Sequence, residues 1–180
     1  MNLANVVTVG RMLTVIPVVW LIATERVQAA FWIFLAAGIS DAVDGYIAKN
    51  FNAKTDLGAY LDPLADKVLL NGIYLALGLV AWLPGWLVVL VISRDLLIVA
   101  GVVLMQRRDP LFRATPLLIG KLNTFAQIAL AACALAHASG LVELGELVAT
   151  LIATVAATTA LSGAGYAAQA IRAYNAERSS

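Results

Sequence analysis

The sequence is short of charge. Only 13% of its 180 residues are Asp, Glu, Lys or Arg, whereas 62% are hydrophobic. A soluble domain carries about a quarter charged residues, so this composition excludes an ordinary water-soluble protein. The net charge is only +1, which gives no basic surface for nucleic acid, and that class of partner is excluded as well.

Cysteine and histidine are almost absent. A lone cysteine, Cys133, permits no internal disulfide bond. The lone histidine, His137, is predicted to lie at the outer end of a membrane span, far from the acidic residues described below. A zinc site, which needs Cys or His ligands, is therefore not expected.

Long apolar runs dominate what is present. A transmembrane helix needs about 20 apolar residues. By this length criterion the sequence predicts six spans. They cover residues 5–24, 28–50, 57–81, 85–105, 116–138 and 144–174. The sequence predicts an all-α polytopic membrane protein, with six transmembrane helices in one bundle that forms a single domain over residues 1–180.

The distribution of positive charge predicts the orientation. Lys and Arg concentrate in the loops after spans two and four and in the C-terminal tail, and such residues mark the cytoplasmic side. Both termini are therefore expected in the cytoplasm. The four tryptophans fall near the opposite ends of spans one to four, as one aromatic belt would: Trp20, Trp32, Trp82 and Trp86.

Four aspartates interrupt this apolar pattern. Asp41 and Asp44 are three residues apart near the inner end of span two, and Asp62 and Asp66 are four apart near the inner end of span three. Both spacings place a pair on one helical face. Because the two spans are predicted to be antiparallel neighbours joined by a short loop, the two faces are expected to meet.

Such a cluster of carboxylates needs a partner. Ordinary interfacial acids at helix ends are the alternative, but four together would repel one another. A bound divalent cation, and more readily two, removes that repulsion, and oxygen-only ligands favour Mg²⁺, Mn²⁺ or Ca²⁺ over zinc. Two such ions suit phosphoryl transfer. Gly45 and Gly58 beside the acids would let a ligand approach, or would simply serve helix packing.

The pattern Asp41-x-x-Asp44-Gly45-x-x-Ala48, followed by Gly58-x-x-x-Asp62-x-x-x-Asp66, resembles the signature of the CDP-alcohol phosphatidyltransferases. The resemblance implies six transmembrane helices, a homodimer, and transfer of a phosphatidyl group from CDP-diacylglycerol to an alcohol with release of CMP. It also implies site roles. Metal ligands would be Asp41, Asp44, Asp62 and Asp66, with Asp66 also the base that deprotonates the acceptor hydroxyl.

The resemblance extends to other positions. It implies that donor binding involves Thr8, Gly45, Ala48, Lys49 and Gly58, although Lys49 stands where the family has arginine. Lysine offers a point charge instead of a bidentate grip on phosphate. For the acceptor or its phosphate, the candidates are Arg11, Arg94, Lys121 and Asn123.

Arg94 and Asp95 deserve a separate prediction because they lie inside an apolar run, where charges are functional candidates. Adjacent helical residues point about 100° apart, so we expect that they do not simply pair with each other. Arg94 is expected to meet a substrate phosphate or a site aspartate. A structural salt bridge is the alternative.

The acceptor alcohol is predicted from one position. Relatives that make phosphatidylglycerophosphate tend to carry Lys-x-Lys-Thr, where this chain has Lys121-Leu122-Asn123-Thr124. One lysine fewer suits phosphatidylglycerol, whose phosphate carries less charge than glycerol 3-phosphate. The resemblance thus implies a cardiolipin-forming enzyme, with glycerol 3-phosphate as the alternative acceptor. A transporter would more often show repeated halves and acids near mid-membrane, and a structural module would need no acid cluster.

Overall fold

A computed structural model describes the backbone of residues 3–50, 56–108 and 117–178, and the side chains of residue 10 and of residues 13–40, 67–103 and 117–172. The described residues form helices without a strand. The six helices are α1 Leu3–Ala23, α2 Val27–Asn50, α3 Asp56–Leu79, α4 Gly85–Arg108, α5 Leu118–Ala138 and α6 Gly145–Arg178. The predicted all-α class is confirmed.

Three described turns connect the helices, and each contains a residue in the left-handed conformation. Glu25, Ala81 and Gly140 have φ angles of 62°, 62° and 71°. After α1, the N–H of Arg26 donates to the carbonyl of Leu21, and the N–H of Glu25 donates to the carbonyl of Ile22. This pair of hydrogen bonds ends many helices. Glycine adopts this conformation freely, whereas Glu25 and Ala81 each carry about 1 kcal/mol or more of backbone strain.

The helices pack as a closed ring. In the described part of the chain the contacts run from α2 to α1, α3, α4, α6, α5 and back to α2, with α3 also touching α5 across the interior. The predicted meeting of α2 and α3 involves residues 41–66, whose side chains lie outside the described residues, and it stays a prediction. Where the chain is described, α1 packs on both helices. Gly72 explains why α1 docks on α3, since a Cβ there would come within 2.8 Å of Val15 Cγ1.

The core is apolar and lies inside this ring. Its largest fully buried apolar side chains come from five helices and one turn: Val18 and Ile22 on α1, Ile73, Tyr74 and Leu77 on α3, Leu83 in the turn before α4, Leu87 and Val91 on α4, Leu130 and Leu135 on α5, and Val155 on α6. The outer surface is apolar too. Leu97, Phe125 and Ile16 are each more than two-thirds exposed, which water would not favour over so large an area.

Membrane spans can be assigned for three helices. Within the described side chains, Gly85–Val103, Leu118–Ala138 and Gly145–Arg172 are long and apolar enough to cross a bilayer. The described parts of α1, α2 and α3 give shorter apolar segments, Leu13–Ala23, Val27–Ser40 and Lys67–Leu79. The prediction of six helices is thus confirmed. Of the six predicted spans, three correspond to helices that are long and apolar enough to cross a bilayer.

Candidate active site

The four aspartates lie on the two helices that the sequence assigned to them. Asp41 and Asp44 belong to the second half of α2, and Asp62 and Asp66 to the first half of α3. The first pair therefore precedes the connection formed by residues 51–55, and the second pair follows it. Both helices also contact α1 and α5, so the two pairs belong to helices that border one interior.

The side chains of these aspartates lie outside the described residues. The same holds for the donor-binding candidates Thr8, Gly45, Ala48, Lys49 and Gly58, and for Arg11. Their predicted convergence and roles stay predictions. What the structure does describe is the polar environment that begins one residue after Asp66.

That environment centres on Asp95 of α4, which is only 5% exposed. Lys67, the residue after Asp66 on α3, places Nζ 3.6 Å from Asp95 Oδ1. One turn further along α3, Asn71 donates from Nδ2 to Asp95 Oδ2 at 3.3 Å. A buried carboxylate needs such partners, because an isolated charge in an apolar interior is strongly disfavoured.

Arg94 supplies the strongest of these partners. Its Nη1 lies 2.7 Å from Asp95 Oδ1, and both side chains are about 7% exposed. The expectation that adjacent Arg94 and Asp95 do not pair is therefore wrong. The angle of 100° holds for the Cβ directions, but the long arginine side chain bends back to its neighbour, because a buried guanidinium needs a nearby carboxylate.

Arg94 also connects α4 to α6. Its Nη2 donates to the hydroxyl of Ser162, a fully buried side chain. The guanidinium carbon lies 5.6 Å from the centre of the Tyr166 ring, within the range of a cation–π interaction. We call Lys67, Asn71, Arg94, Asp95, Ser162 and Tyr166 the α3–α4–α6 polar cluster.

The beginning of α5 closes over this cluster. The backbone N–H of Leu117 donates to the Tyr166 hydroxyl at 3.4 Å. At Gly120, a Cβ would lie 3.0 Å from that hydroxyl oxygen and 3.3 Å from Arg94 Nη2. Glycine at this position therefore allows α5 to approach the guanidinium and the phenol together.

The two candidates on α5 are separated by the structure. Lys121 is exposed, whereas Asn123 is fully buried. The Asn123 carboxamide oxygen accepts hydrogen bonds from Thr158 at 2.8 Å and Thr159 at 2.9 Å, both on α6. Its Nδ2 is buried and has no hydrogen-bond partner among the described residues. The carboxamide oxygen is therefore committed to α6.

A groove runs beside the polar cluster, between α4 and α6. It has a volume of about 170 Å³ and is lined mostly by apolar or small side chains, including Leu97, Ile98, Gly163 and Ala167. Its polar lining residues are Arg94, Tyr166 and Gln169. The cluster is therefore accessible from a surface that is otherwise apolar.

A divalent cation fits the four aspartates by the chemistry of the donor set, which is all oxygen. Asp95 is not part of that set, because Arg94 and Lys67 already neutralise it. Where side chains are described, no three Asp, Glu, His or Cys gather as a cation site would require. The four aspartates therefore stay the predicted metal ligands.

Sequence reasoning missed four members of the polar cluster: Lys67, Asn71, Ser162 and Tyr166. A signal was present for two of them. Asn71 and Ser162 interrupt apolar runs, where polar side chains generally find partners on neighbouring helices. Which helix supplies the partner depends on the ring order of the bundle, and the polarity of a single residue does not reveal that order.

The family model of the CDP-alcohol phosphatidyltransferases matches residues 1–162. The chain belongs to this family. The resemblance stated from the aspartate pattern is thereby confirmed, and the family's members are enzymes that transfer substituted phosphate groups.

Individual members of the family differ in their acceptors. The chain is 35% identical, over 92% of its length, to a rice protein named chloroplastic CDP-diacylglycerol–glycerol-3-phosphate 3-phosphatidyltransferase 1, of which it covers 56%. It is 37% identical, over 65% of its length, to a rat cardiolipin synthase (CMP-forming), of which it covers 44%. The chain thus spans about half the length of these two relatives.

A third phosphatidyltransferase is matched almost end to end. This protein of Mycobacterium tuberculosis, named a probable phosphatidylglycerophosphate synthase, is 32% identical over 95% of the chain and 82% of its own length. Relatives named for both reactions therefore share this degree of similarity, and identity alone does not separate the two acceptors.

Proposed function

We propose that the chain is an integral-membrane phosphatidyltransferase, which moves the phosphatidyl group of CDP-diacylglycerol to an alcohol and releases CMP. The observation that carries the proposal is the spacing of Asp41, Asp44, Asp62 and Asp66 on α2 and α3, in a chain whose family match spans residues 1–162. The buried charges of the polar cluster, which begins at Lys67, support a polar site at this level of the bundle.

In the proposed mechanism, Asp41, Asp44, Asp62 and Asp66 hold one or two Mg²⁺ or Mn²⁺ ions, which when bound supply positive charge to the diphosphate of the donor. Lys49 adds a further positive charge there. Thr8, Gly45, Ala48 and Gly58 shape the donor pocket.

The reaction itself needs one base. Asp66 takes the proton of the acceptor hydroxyl, whose oxygen then forms a bond to the phosphorus that carries diacylglycerol. The bond from that phosphorus to the oxygen of the CMP phosphate breaks, and CMP leaves with the electron pair. The reaction is accelerated by correct orientation of the two substrates and by stabilisation of the charge on the leaving group.

For the acceptor we propose phosphatidylglycerol, which would make the product cardiolipin. Asn123 supports this choice, because its Nδ2, which has no hydrogen-bond partner among the described residues, is a neutral donor and suits a phosphate diester better than a second lysine would. Arg11, Lys121 and Arg94 are the other acceptor candidates. Glycerol 3-phosphate is the second candidate acceptor, and the rice and mycobacterial relatives favour it by their names.

The proposal includes the setting of the enzyme. Six spans in one domain, both termini and the aspartates in the cytoplasm, and a homodimer complete it. The positive-inside rule supports the orientation, since CDP-linked donors are cytoplasmic. The four tryptophans, all more than 40% exposed, have the exposure expected of a belt at the opposite interface.

The test is CMP release by purified full-length protein with CDP-diacylglycerol and Mn²⁺ or Mg²⁺, with phosphatidylglycerol and glycerol 3-phosphate supplied separately. Turnover with phosphatidylglycerol alone supports the first acceptor, and turnover with glycerol 3-phosphate alone supports the second. Chelation with EDTA is expected to stop either reaction, and added Mn²⁺ to restore it. Absence of CMP release with both acceptors would contradict the proposed substrates.

A further inference from the structure

We propose that Asp95 is a positioning residue for the candidate active site. It holds α3, the helix that carries Asp62 and Asp66, in a fixed register against α4 and α6. The inference rests on the proposed function and assigns a role within it to a residue that does not belong to the aspartate pattern.

Both carboxylate oxygens of Asp95 are used. Oδ1 meets Arg94 at 2.7 Å and Lys67 at 3.6 Å, and Oδ2 accepts the hydrogen bond from Asn71. Lys67 and Asn71 are four residues apart and so lie on one face of α3, one turn from each other. Two contacts so placed restrict both the rotation of α3 and its movement along its axis.

The other side of Asp95 is fixed from α6. Arg94 binds Asp95 with Nη1 and Ser162 with Nη2, and its guanidinium lies against Tyr166. The carboxylate therefore cannot move toward α3 without breaking contacts to α6. In this way the polar cluster transmits the position of α6 to α3.

The contact to α3 is adjacent to the candidate catalytic positions. Lys67 directly follows Asp66, and a helix is stiff, with a rise of about 1.5 Å per residue. A small rotation of α3 at Lys67 therefore moves positions 66 and 62 together, relative to the acids on α2. Displacement by about 1 Å can reduce a rate by about 10²-fold, so the register of α3 is a catalytic requirement.

The same geometry bears on Arg94. Its two terminal nitrogens are committed to Asp95 and Ser162, and its buried Nε has no partner among the described residues. In this arrangement Arg94 therefore acts on the candidate site through Asp95, in addition to being a candidate ligand of the acceptor.

The first experiment uses Lys67→Met in the full-length purified protein. Lys67 is one-third exposed, so its removal is expected to leave the fold intact. We expect kcat for CMP release to fall about tenfold to a hundredfold, with little change in KM for CDP-diacylglycerol. Lys67→Arg, which keeps the charge and the reach, is expected to restore most of the rate. The matched control is Ser93→Ala, an exposed position on α4 whose hydroxyl donates to the carbonyl of Val89 in its own helix and, among the described residues, to no other helix.

A second variant removes the connection from the other side. Arg94→Met combined with Asp95→Leu replaces a buried ion pair with apolar groups, a change that is often neutral for stability. We expect this double variant to fold and to lose as much kcat as Lys67→Met. Adding Lys67→Met to it is expected to cause no further loss, because both changes break the same connection.

Mn²⁺ binding provides a readout that does not depend on turnover. A cation that binds only the folded protein raises its unfolding temperature. The measured quantity is the Mn²⁺ concentration that produces half of the maximal increase in unfolding temperature. We expect this concentration to be higher for Lys67→Met than for the wild type and unchanged for Ser93→Ala. Should the wild type release no CMP, the proposed substrates fail, and this shift alone decides the positioning role.

Two results would overturn the inference. One is a Lys67→Met protein with unchanged kcat and a raised KM for the donor, which would make Lys67 a substrate ligand. The other is a folded Arg94→Met, Asp95→Leu protein with wild-type kcat and Mn²⁺ response, which would make the ion pair purely structural.

Discussion

Asn123 on α5 and Thr159 on α6 are joined by a hydrogen bond of 2.9 Å, in which the threonine hydroxyl donates to the carboxamide oxygen. Both side chains are almost completely buried. Thr158 donates to the same oxygen, so one neutral acceptor ties the two helices together. Position 123 therefore has a packing role besides its proposed role toward the acceptor.

Replacement of Asn123 by leucine tests this packing role. Leucine keeps the branched heavy-atom skeleton of asparagine but cannot accept a hydrogen bond. Hydrogen bonds between helices in membranes contribute about 0.6 kcal/mol on average and up to ~1.7. We expect the free energy of unfolding to fall by about 1 kcal/mol, seen as a lower unfolding temperature in detergent. Thr150→Ala, exposed on α6 and bonded only to its own helix at Glu146, should show no such change.

Replacement of Asn123 by lysine tests the acceptor. A second lysine near Lys121 should favour the more highly charged glycerol 3-phosphate over phosphatidylglycerol. We expect the ratio of the two kcat/KM values to shift toward glycerol 3-phosphate by about tenfold, which corresponds to ~1.4 kcal/mol. An unchanged ratio in a folded variant would show that Asn123 does not determine which acceptor the enzyme prefers.

Tyr166 contributes a ring and a hydroxyl to the polar cluster, and two variants separate them. Tyr166→Phe removes the bond from Leu117 N–H, which is long at 3.4 Å, and should lower stability by less than 1 kcal/mol. Tyr166→Leu also removes the ring beside Arg94, a contribution of about 2 kcal/mol when desolvated. Thermal unfolding should therefore rank wild type, phenylalanine and leucine in that order. Equal unfolding temperatures for the two variants would exclude the cation–π contribution.

The sequence was sufficient for features that depend on local pattern. Apolar run lengths predicted all six helices, and α4, predicted at 85–105, begins at Gly85 as expected. The aspartate spacing identified the family. Contacts between helices that are distant in the sequence could not be predicted from local pattern. The partners of Arg94 include its own neighbour Asp95 and Ser162, 68 residues away, and only the packing of α4 on α6 selects them.

The proposed orientation can be tested by cysteine labelling. Cys133 is first replaced by alanine, and single cysteines are then placed at Glu143, in the turn between α5 and α6, or at Ser179 near the C-terminus. The Glu143 side chain is 97% exposed. A membrane-impermeant maleimide added to intact cells should label position 143 and should reach position 179 only after lysis. The reverse pattern would contradict cytoplasmic termini.

The central claim is that the aspartates of α2 and α3 carry out phosphatidyl transfer, and Asp62→Ala tests it most directly. CMP release from CDP-diacylglycerol in the presence of Mn²⁺ is measured for wild type, Asp62→Ala and Glu146→Ala, an acidic residue in the first turn of α6. We expect Asp62→Ala to keep the wild-type unfolding temperature without metal but to lose at least about 10²-fold in rate, while Glu146→Ala retains the rate. An Asp62→Ala protein that releases CMP as fast as the wild type, or that fails to fold, would contradict the claim.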